Sequence, residues 1–367
     1  MDNSGTQQSH LKQKEIDAIK DGAVKAEKEG RPVKGQLAVL NEHNLLNMLA
    51  PQTYGGLQLA VPEALQIVEQ LAAADGSIGW LSANAAIASW GKGFLHADTT
   101  KELINDKTYV AGTIYTGGTA EKTKGGYMLN GKWKHVTGID DALAFIANCS
   151  ILENGAKIED EAKTEQVLSF ILLRNEFSLL PWNPLGLAGA GSQDVEVKNV
   201  KVPSNRAFTM NGEHATNNAR LYQYPYLQLS EAFLSVAVAG MAAHFTELCN
   251  RTVRGMKDAH GTLLANDHMV QDTMDKYVQK LNDARVKLYY AAELTWQACA
   301  NQQTIKDTIL YKVSAAAQDL TKKARECADA LYPFCGMAAM DKTTELNRVW
   351  RDLHTASQER LIVFGGQ

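Results

Sequence analysis

The chain has 367 residues, a formal net charge of −4, 45% hydrophobic and 21% charged residues, as is typical of a soluble globular protein of two or three domains. It has no basic tract, which argues against a nucleic-acid partner. It also lacks an uninterrupted apolar run of about 20 residues, so no membrane span is expected. Five scattered cysteines without CxxC spacing predict reduced thiols in a cytoplasmic protein. The N-terminal "MDNSGTQQSHLKQKEID" has no apolar core, so we expect no signal peptide.

The first part of the chain is predicted to be helical. Residues 8–50 carry apolar side chains at helical spacing, and "VPEALQIVEQLAAADGSIGWLSANAAIASWGKGFL" repeats that pattern. We therefore predict an N-terminal helical domain over residues 1–108.

Residues 109–210 predict an antiparallel β-barrel or β-sandwich domain. Five short runs are rich in β-branched and aromatic residues and are bounded by Gly, Asn or Pro: "YVAGTIY", "GGYMLNGKWKHVTG", "ALAFIANCSI", "EQVLSFILLR" and "DVEVKNVKVP". The dipeptide Asn130-Gly131 lies between apolar runs and predicts a tight hairpin turn.

Residues 211–367 predict a helical bundle. No glycine occurs between Gly261 and Gly336, and no proline between Pro225 and Pro333. Four segments without such breakers predict long helices: "SEAFLSVAVAGMAAHFTELCNRTVRG", "MVQDTMDKYVQKLNDARVKLYYAAELTWQACANQ", "DTILYKVSAAAQDLTKKARECADALYPF" and "LNRVWRDLHTASQERLIVF". The predicted class is thus α+β, with a C-terminal four-helix bundle.

The last of these segments concentrates titratable side chains. Helical spacing groups six residues into two adjacent stripes: Arg351, Thr355 and Glu359, then Trp350, His354 and Gln358. A solvated helix face with ordinary ion pairs would explain them, and so would one wall of an active site. Arg348, Arg351 and Asp352 are interpreted as ion-paired structural residues.

Common catalytic and nucleotide motifs are absent from the sequence. There is no GxGxxG after a strand, no Walker loop, no GxSxG and no HExxH. His260 and His268 lie near Asp267 and are interpreted as surface residues, because two imidazoles alone do not specify a metal. No metal site is predicted.

Three segments in register resemble the acyl-CoA dehydrogenase superfamily over roughly residues 45–360. "APQTYGGLQLAVPEALQIVEQLAAADGSIGWLSA" resembles its N-terminal helical domain, and "PWNPLGLAGAGSQDVEVKNVKVPSNRAF" resembles the segment that ends its β domain. "LNRVWRDLHTASQER" resembles its C-terminal R-x-x-RD helix. The resemblance implies a homotetramer with a flavin between the β domain and the C-terminal bundle.

The resemblance also implies roles near the flavin ring. Trp133 would cover one face of the isoalloxazine, and Thr137, with Gly138 behind it, would reach the N5/O4 edge. The alternative is a hairpin strand with a tryptophan in the core. Ser192 would lie near the flavin or the opening for substrate.

Three further residues would bind the distal part of the cofactor. Arg254 and Gln271 occupy places where family members contact its phosphates across a subunit boundary. Gly336 matches one member of a glycine pair that approaches the partner's adenosine end. Because the second glycine is absent, we expect FAD but leave FMN open.

The C-terminus resembles one branch of the superfamily, the two-component flavin monooxygenases, whose helix reads "RD-L-H-x-A-x-x-H". These enzymes take reduced flavin from a separate reductase and react it with oxygen. His354 is retained, and Glu359 stands where the final histidine would be; these are the candidate catalytic residues. The dehydrogenases' usual glutamate in "Y-E-G" has no counterpart in "RLIVFGGQ", although Glu247 lies near a second position used for it.

These features predict a flavin-dependent oxidoreductase of this superfamily, with an oxygen-using reaction favoured. The substrate would be a small molecule, either an acyl-CoA or an aromatic compound. An acyl-CoA dehydrogenase is the first alternative. The second is a catalytically degenerate binding or assembly protein. Glu359 is then either a displaced base or a surface carboxylate.

Overall fold

The computed structural model describes residues 11–96, 99, 109–159 and 164–365. The chain forms N-terminal helices, then a β-sheet, then C-terminal helices. This confirms the predicted α+β class and the predicted order of the three regions.

Four α-helices are described before the sheet: α1 (Gln13–Glu29), α2 (Lys34–Glu42), α3 (Val61–Ala74) and α4 (Gly76–Trp90). Asp75 separates the last two, since its carboxylate accepts the Ile78 N–H at 2.8 Å and caps α4. Every residue of α4 except Asn84 is buried, so α4 is a central element of the fold.

The sheet contains strands β1 (Val110–Thr123), β2 (Gly126–Val136), β3 (Ala144–Glu153), β4 (Ala156–Lys157), β5 (Val167–Leu173), β6 (Ser178–Leu180), β7 (Gln193–Pro203) and β8 (Ala207–Phe208). Its order is β6-β7-β2-β1-β3-β5-β8, with β4 paired to β3. The sheet is open, so the predicted barrel is not confirmed. The pairing is also not wholly antiparallel, because β1 and β3 run parallel. The reason is that the chain crosses from β2, on one side of β1, to β3 on its other side.

The predicted hairpin turn at Asn130-Gly131 is wrong. Both residues lie inside β2, and the turn is at Lys124-Gly125, where Gly125 has a φ of 87°. Gly131 is required for packing: a Cβ there would lie 2.5 Å from the Gly118 Cα and 2.6 Å from the Trp133 ring. The sequence alone does not distinguish a glycine that permits close strand packing from a glycine in a turn, which is why the prediction failed here.

The C-terminal helices are α5 (Tyr226–Gly255), α6 (His268–Ala300), α7 (Asp307–Leu331), α8 (Glu345–Ala356) and α9 (Arg360–Phe364). The first three match the predicted long helices. The fourth prediction is too long, because the helix stops at Ala356. Glu359 then caps a new helix, its carboxylate accepting the Leu361 N–H at 3.3 Å.

Helix α5 is long and apolar enough to cross a membrane by length and composition alone, but 83% of its most apolar window is buried inside the protein. Such burial is typical of the central helix of a globular core. The five cysteines are also buried, and all are free thiols. Burial raises the pKa of the Cys149 thiol to about 12, which keeps it protonated.

Helix α5 crosses α3 at Gly240. A Cβ at this residue would lie 2.4 Å from the Glu69 carbonyl oxygen and 2.8 Å from the Ala72 Cβ. Gly240→Ala should therefore lower the free energy of unfolding by about 1–3 kcal/mol, measured by urea denaturation. Gly255→Ala on the same helix is the matched control, because nothing lies within 4 Å of its added Cβ. Equal stability of the two variants would contradict this packing.

Candidate active site

A cavity of about 790 Å³ is lined by residues of the sheet and of helices from both the N-terminal and the C-terminal regions. Its walls come from α4, β1, β2, the loop before β7, α5 and the C-terminal segment around α8. This volume is in the range of small-molecule and cofactor sites.

On the sheet side, the turn after β2 is held against the loop before β7. Thr137 and Ser192 both line the cavity, and the Ser192 hydroxyl donates to the Thr137 Oγ1 at 3.4 Å. The Gly138 N–H donates to the Ala190 carbonyl at 3.1 Å, and the Gly138 carbonyl accepts from the Tyr109 hydroxyl at 2.6 Å. The structure thus brings the three predicted residues Thr137, Gly138 and Ser192 together.

Gly138 has a φ of 73°, and a Cβ there would lie 2.4 Å from the Leu81 Cδ1 on α4. Glycine is therefore required by both conformation and space. This close contact fixes the turn, and with it Thr137, relative to α4.

Trp133 contributes to the cavity wall but is only 2% exposed. Its Nε1 donates to the Asn148 carbonyl at 3.1 Å, and its ring meets Phe145 edge to face. The backbones of Gly117 and Gly118 lie close against the indole. These contacts match the alternative of a core tryptophan and leave little of the ring free to cover a cofactor.

His135 and Trp182, which the sequence did not single out, present aromatic surface at the cavity. Their rings lie 4.3 Å apart between centroids. His135 has a φ of 56° and follows a register shift in the β2–β7 pairing, and its N–H donates to the Asp194 carboxylate at 2.8 Å. Residues 133 and 135 would share a face in a regular strand; the irregularity turns His135 outward.

The C-terminal segment forms one wall of the cavity. Five of the six residues placed on the two helical stripes line it: Trp350, His354, Thr355, Gln358 and Glu359. The C-terminal segment therefore borders the cavity, and its role as the wall of an active site stays a prediction.

His354 has both ring nitrogens engaged. Nδ1 lies 2.8 Å from the Trp350 carbonyl oxygen, and Nε2 lies 2.8 Å from the Asp329 carboxylate. Each ring nitrogen therefore faces an oxygen atom of the protein. The ring stacks on Trp350 with centroids 4.0 Å apart. In this arrangement His354 offers its ring, not a free nitrogen, to a ligand.

Glu359 bridges the C-terminal segment to the sheet, since its carboxylate accepts a hydrogen bond from the Tyr115 hydroxyl on β1. Burial and the neighbouring Glu359 carboxylate raise the pKa of Tyr115 well above its usual range. The phenol therefore stays protonated and acts as the donor. Glu359 is half-buried, and its role as a displaced base stays a prediction.

Arg351 and Asp352 connect α8 to other parts of the chain. The Arg351 guanidinium donates to the Glu27 carboxylate at 2.5 Å and to the Leu185 carbonyl at 3.0 Å. The Asp352 Oδ1 accepts the Leu187 N–H at 2.6 Å. Leu187 has a φ of 60°, an uncommon conformation for leucine, and lines the cavity. The predicted structural role thus includes holding the loop that shapes the site.

Asp352 is a buried carboxyl group. Burial, with the nearby Asp75 carboxylate as the second cause, raises its pKa to about 7, while Arg348 opposes the shift. Its Oδ2 has no hydrogen-bond partner among the described residues.

Four residues considered from the sequence lie outside this cavity: Glu247, Arg254, Gln271 and Gly336. All four are exposed. Gly336 has a φ of 57°, and its added Cβ would lie 3.0 Å from the Met256 side chain, two residues after Arg254. The Gln271 side chain donates to the Ala265 carbonyl at 2.7 Å. Their predicted contacts with a cofactor across a subunit boundary stay predictions.

Outside the cavity, ligand-type atoms of Glu15, Glu42 and His43 lie within 4.8 Å of one another. Glu15 is already used, because it accepts the Lys12 N–H at 2.7 Å and caps α1. The predicted absence of a metal site therefore stays a prediction.

Comparison with known families identifies the fold. The N-terminal domain of the acyl-CoA dehydrogenases matches residues 13–102, and the C-terminal domain of the same family matches residues 232–363. Together these matches cover more than half of the chain. The chain belongs to the acyl-CoA dehydrogenase family.

Relatives known by sequence include oxygen-using enzymes. The oxygenase subunit HsaA of a flavin-dependent monooxygenase from Mycobacterium tuberculosis is 23% identical over 348 residues, 92% of this chain and 86% of the relative. Indole-3-acetate monooxygenase from Pseudomonas putida is 24% identical over 329 residues, 87% of this chain and 81% of the relative. The predicted class, a flavin-dependent oxidoreductase, is confirmed.

Solved structures share the fold over nearly the whole chain. XiaF from Streptomyces sp., in complex with FADH2 and glycerol, aligns with a TM-score of 0.85 at 19% identity, over 96% of this chain and 90% of XiaF. TdsC from Paenibacillus sp., with FMN and indole, aligns with a TM-score of 0.77 at 15% identity, over 96% of this chain and 93% of TdsC.

The raised pKa of Asp352 predicts a pH-dependent stability. Between its ordinary value of 3.8 and about 7, the folded protein keeps a proton that the unfolded chain has lost. The contribution of Asp352 to stability therefore falls as pH rises through this window, by at most about 4 kcal/mol. Asp352→Asn should gain stability relative to wild type between pH 5 and pH 8, measured by urea denaturation. Glu247→Gln, which changes an exposed carboxylate, is the control, and parallel pH profiles for all three proteins would contradict the shift.

Proposed function

We propose that this chain is the oxygenase component of a two-component monooxygenase that hydroxylates a small aromatic substrate. It would accept reduced flavin from a separate reductase. The substrate, dioxygen and the reduced flavin would give the hydroxylated product, water and the oxidised flavin. One oxygen atom thus enters the product, and the flavin supplies the two electrons for the other.

One observation carries this proposal: a single cavity contains both the sheet-side pair Thr137 and Ser192 and the C-terminal pair His354 and Glu359. The resemblance assigns the first pair to the flavin and the second to the oxygen reaction. The surrounding wall is rich in aromatic and apolar side chains, including Trp80, Trp182, Tyr226, Ile87 and Leu234. Such a wall suits flat aromatic ligands and excludes water.

The residues present fit a flavin ring. Thr137 and Ser192 offer hydroxyl groups to its polar edge, and the neighbouring rings of His135 and Trp182 offer an aromatic surface. The bound reduced flavin would supply the electrons that activate dioxygen.

Proton handling would fall to the Tyr115–Glu359 pair. The Tyr115 hydroxyl donates a hydrogen bond to the Glu359 carboxylate and so holds it in place, and the carboxylate can accept a proton during the reaction. His354, held by Trp350 and Asp329, would support the wall.

We further propose FAD as the flavin, with FMN as the alternative, in a cytoplasmic homotetramer. Arg254, Gln271 and Gly336 are exposed at one end of the helical region, which is compatible with contacts to the distal part of a cofactor bound mainly by another subunit. Support for either flavin comes from solved structures of this fold, which contain FADH2 or FMN.

The test begins with purified protein and FAD under anaerobic conditions. Chemically reduced FAD is then mixed with ¹⁸O₂ and phenol, indole or 4-hydroxyphenylacetate, and products are analysed by mass spectrometry. Incorporation of one ¹⁸O atom is expected. Bleaching of the oxidised flavin by an acyl-CoA alone would instead establish a dehydrogenase. Failure to bind FAD or FMN would favour a binding or assembly protein.

Glu359→Gln should abolish turnover and leave flavin affinity unchanged, because it removes the proton acceptor and keeps the shape of the side chain. Tyr115→Phe should reduce turnover less severely, since it leaves the carboxylate in place. Rates are measured as product formed per reduced flavin added. Glu247→Gln is the control: this exposed carboxylate lies outside the cavity. Wild-type turnover in Glu359→Gln would rule out the proton role.

A further inference from the structure

Two of the five free thiols lie in contact inside the C-terminal helical region. Cys249 is on α5, and Cys335 is in the short helical segment Tyr332–Met340 that connects α7 to α8. Their Sγ atoms are 3.1 Å apart, close enough for a hydrogen bond between thiols. Both side chains are buried, and neither lines the cavity described above. The proposed reaction therefore gives this thiol pair no role.

We propose that Cys249 and Cys335 are a redox-sensitive pair that forms a disulfide when a peroxide oxidises the folded protein. The inference goes beyond the proposed function, and the reactivity of the pair does not depend on it. The two residues are 86 positions apart in the chain. The disulfide would therefore tie the C-terminal part of α5 to the segment that precedes α8.

The chemistry needs one thiolate, one thiol and one peroxide. The Cys335 thiolate attacks an oxygen of hydrogen peroxide, the O–O bond breaks, and Cys335 becomes a sulfenic acid while hydroxide leaves. The Cys249 sulfur then attacks the sulfenic sulfur, the S–S bond forms, and a second hydroxide leaves. The two thiol protons convert both hydroxides to water. In total, two thiols and one hydrogen peroxide give one disulfide and two waters.

The contact between the thiols favours Cys335 as the first nucleophile. The hydrogen bond with Cys249 lowers the pKa of Cys335, although burial opposes the shift, and the same hydrogen bond raises the pKa of Cys249. A lower pKa increases the fraction of thiolate, which is the form that attacks a peroxide. The disulfide then requires the two sulfur atoms, now 3.1 Å apart, to approach each other by about 1 Å.

The thiol pair lies directly beneath the protein surface. Pro333, Gly336 and Met337, which flank Cys335, are exposed, and Met337 is 81% exposed. Gly336 has a φ of 57° and interrupts the helical backbone of the segment. A short, interrupted segment opens locally at a lower free-energy cost than a core helix does. An oxidant the size of water can therefore reach the thiols when this segment opens.

Reduced flavin is one source of the oxidant. With dioxygen it gives oxidised flavin and hydrogen peroxide whenever no substrate receives the oxygen. This source rests on the proposed function. The disulfide would then accumulate when reduced flavin is consumed without product.

The test adds hydrogen peroxide to the folded, full-length protein, so that its outcome is independent of the proposed function. Thiols titrated afterwards in denaturant should fall from five to three, and dithiothreitol should restore all five. A non-reduced tryptic digest should contain residues 221–251, with Cys249, linked to residues 326–342, with Cys335. The melting temperature should rise by several degrees, because the disulfide restricts the unfolded chain.

Cys249→Ala and Cys335→Ala each remove one thiol of the pair and should abolish the linked fragments. Cys327→Ala is the matched control. Cys327 is also buried and lies in the same tryptic fragment as Cys335, but its Sγ lies 3.7 Å from the Thr246 Oγ1. This variant should keep the cross-link, which assigns it to Cys335. Either pair variant suffices if the other does not fold.

The exposed Met337 reports whether the peroxide has reached the segment, since its sulfoxide appears on the same fragment as Cys335. Five remaining thiols beside an oxidised Met337 would overturn the proposal. A cross-link that forms only in urea would also overturn it, because the contact in the folded protein would not be its cause. Loss of the cross-link in Cys327→Ala would assign the disulfide to the wrong cysteine and have the same result.

Discussion

The cavity depends on how helix α8 holds the loop before strand β7. The Asp352 carboxylate accepts the Leu187 N–H at 2.6 Å, and the Arg351 guanidinium joins the Leu185 carbonyl to Glu27 on α1. At Gly186 the loop touches the α8 backbone so closely that an added Cβ would lie 2.2 Å from the Arg351 carbonyl oxygen. This loop also carries Ser192. The contact of the loop with α8 therefore sets the distance between the cavity wall that holds Thr137 and the cavity wall that holds His354.

The sequence predicted elements well where the cause is local. Long helices followed from the absence of Gly and Pro, and α5, α6 and α7 lie close to their predicted bounds. Strands followed from short runs rich in β-branched residues. The errors arose where tertiary packing decides: Gly131 serves the close approach of Gly118 and Trp133 instead of a turn, and β3 pairs in parallel with β1 where antiparallel pairing was expected. Likewise, α8 ends at Ala356 and a separate helix, capped by the Glu359 side chain, follows it.

The sequence predicted the part of the candidate site that depends on local structure. Helical periodicity placed Trp350 and His354 on one face, and a helix face needs no knowledge of distant contacts. His135 was missed because a register shift in β2, set by pairing with β7, turns it away from the face of Trp133. Tyr115 was missed because its partner, Glu359, is 244 residues away in the chain. Contacts over such separations come from the fold and not from any local pattern.

The titratable groups on the C-terminal wall are held by hydrogen bonds. His354 is tied to Asp329 and to the helix backbone, and Glu359 to Tyr115. An unpaired charge buried away from water would cost far more free energy than a hydrogen-bonded one. A carboxylate that already accepts a hydrogen bond from a phenol can therefore take part in proton transfer without being exposed as a bare charge. Proton handling by such a pair is compatible with a cavity whose walls are largely apolar and aromatic.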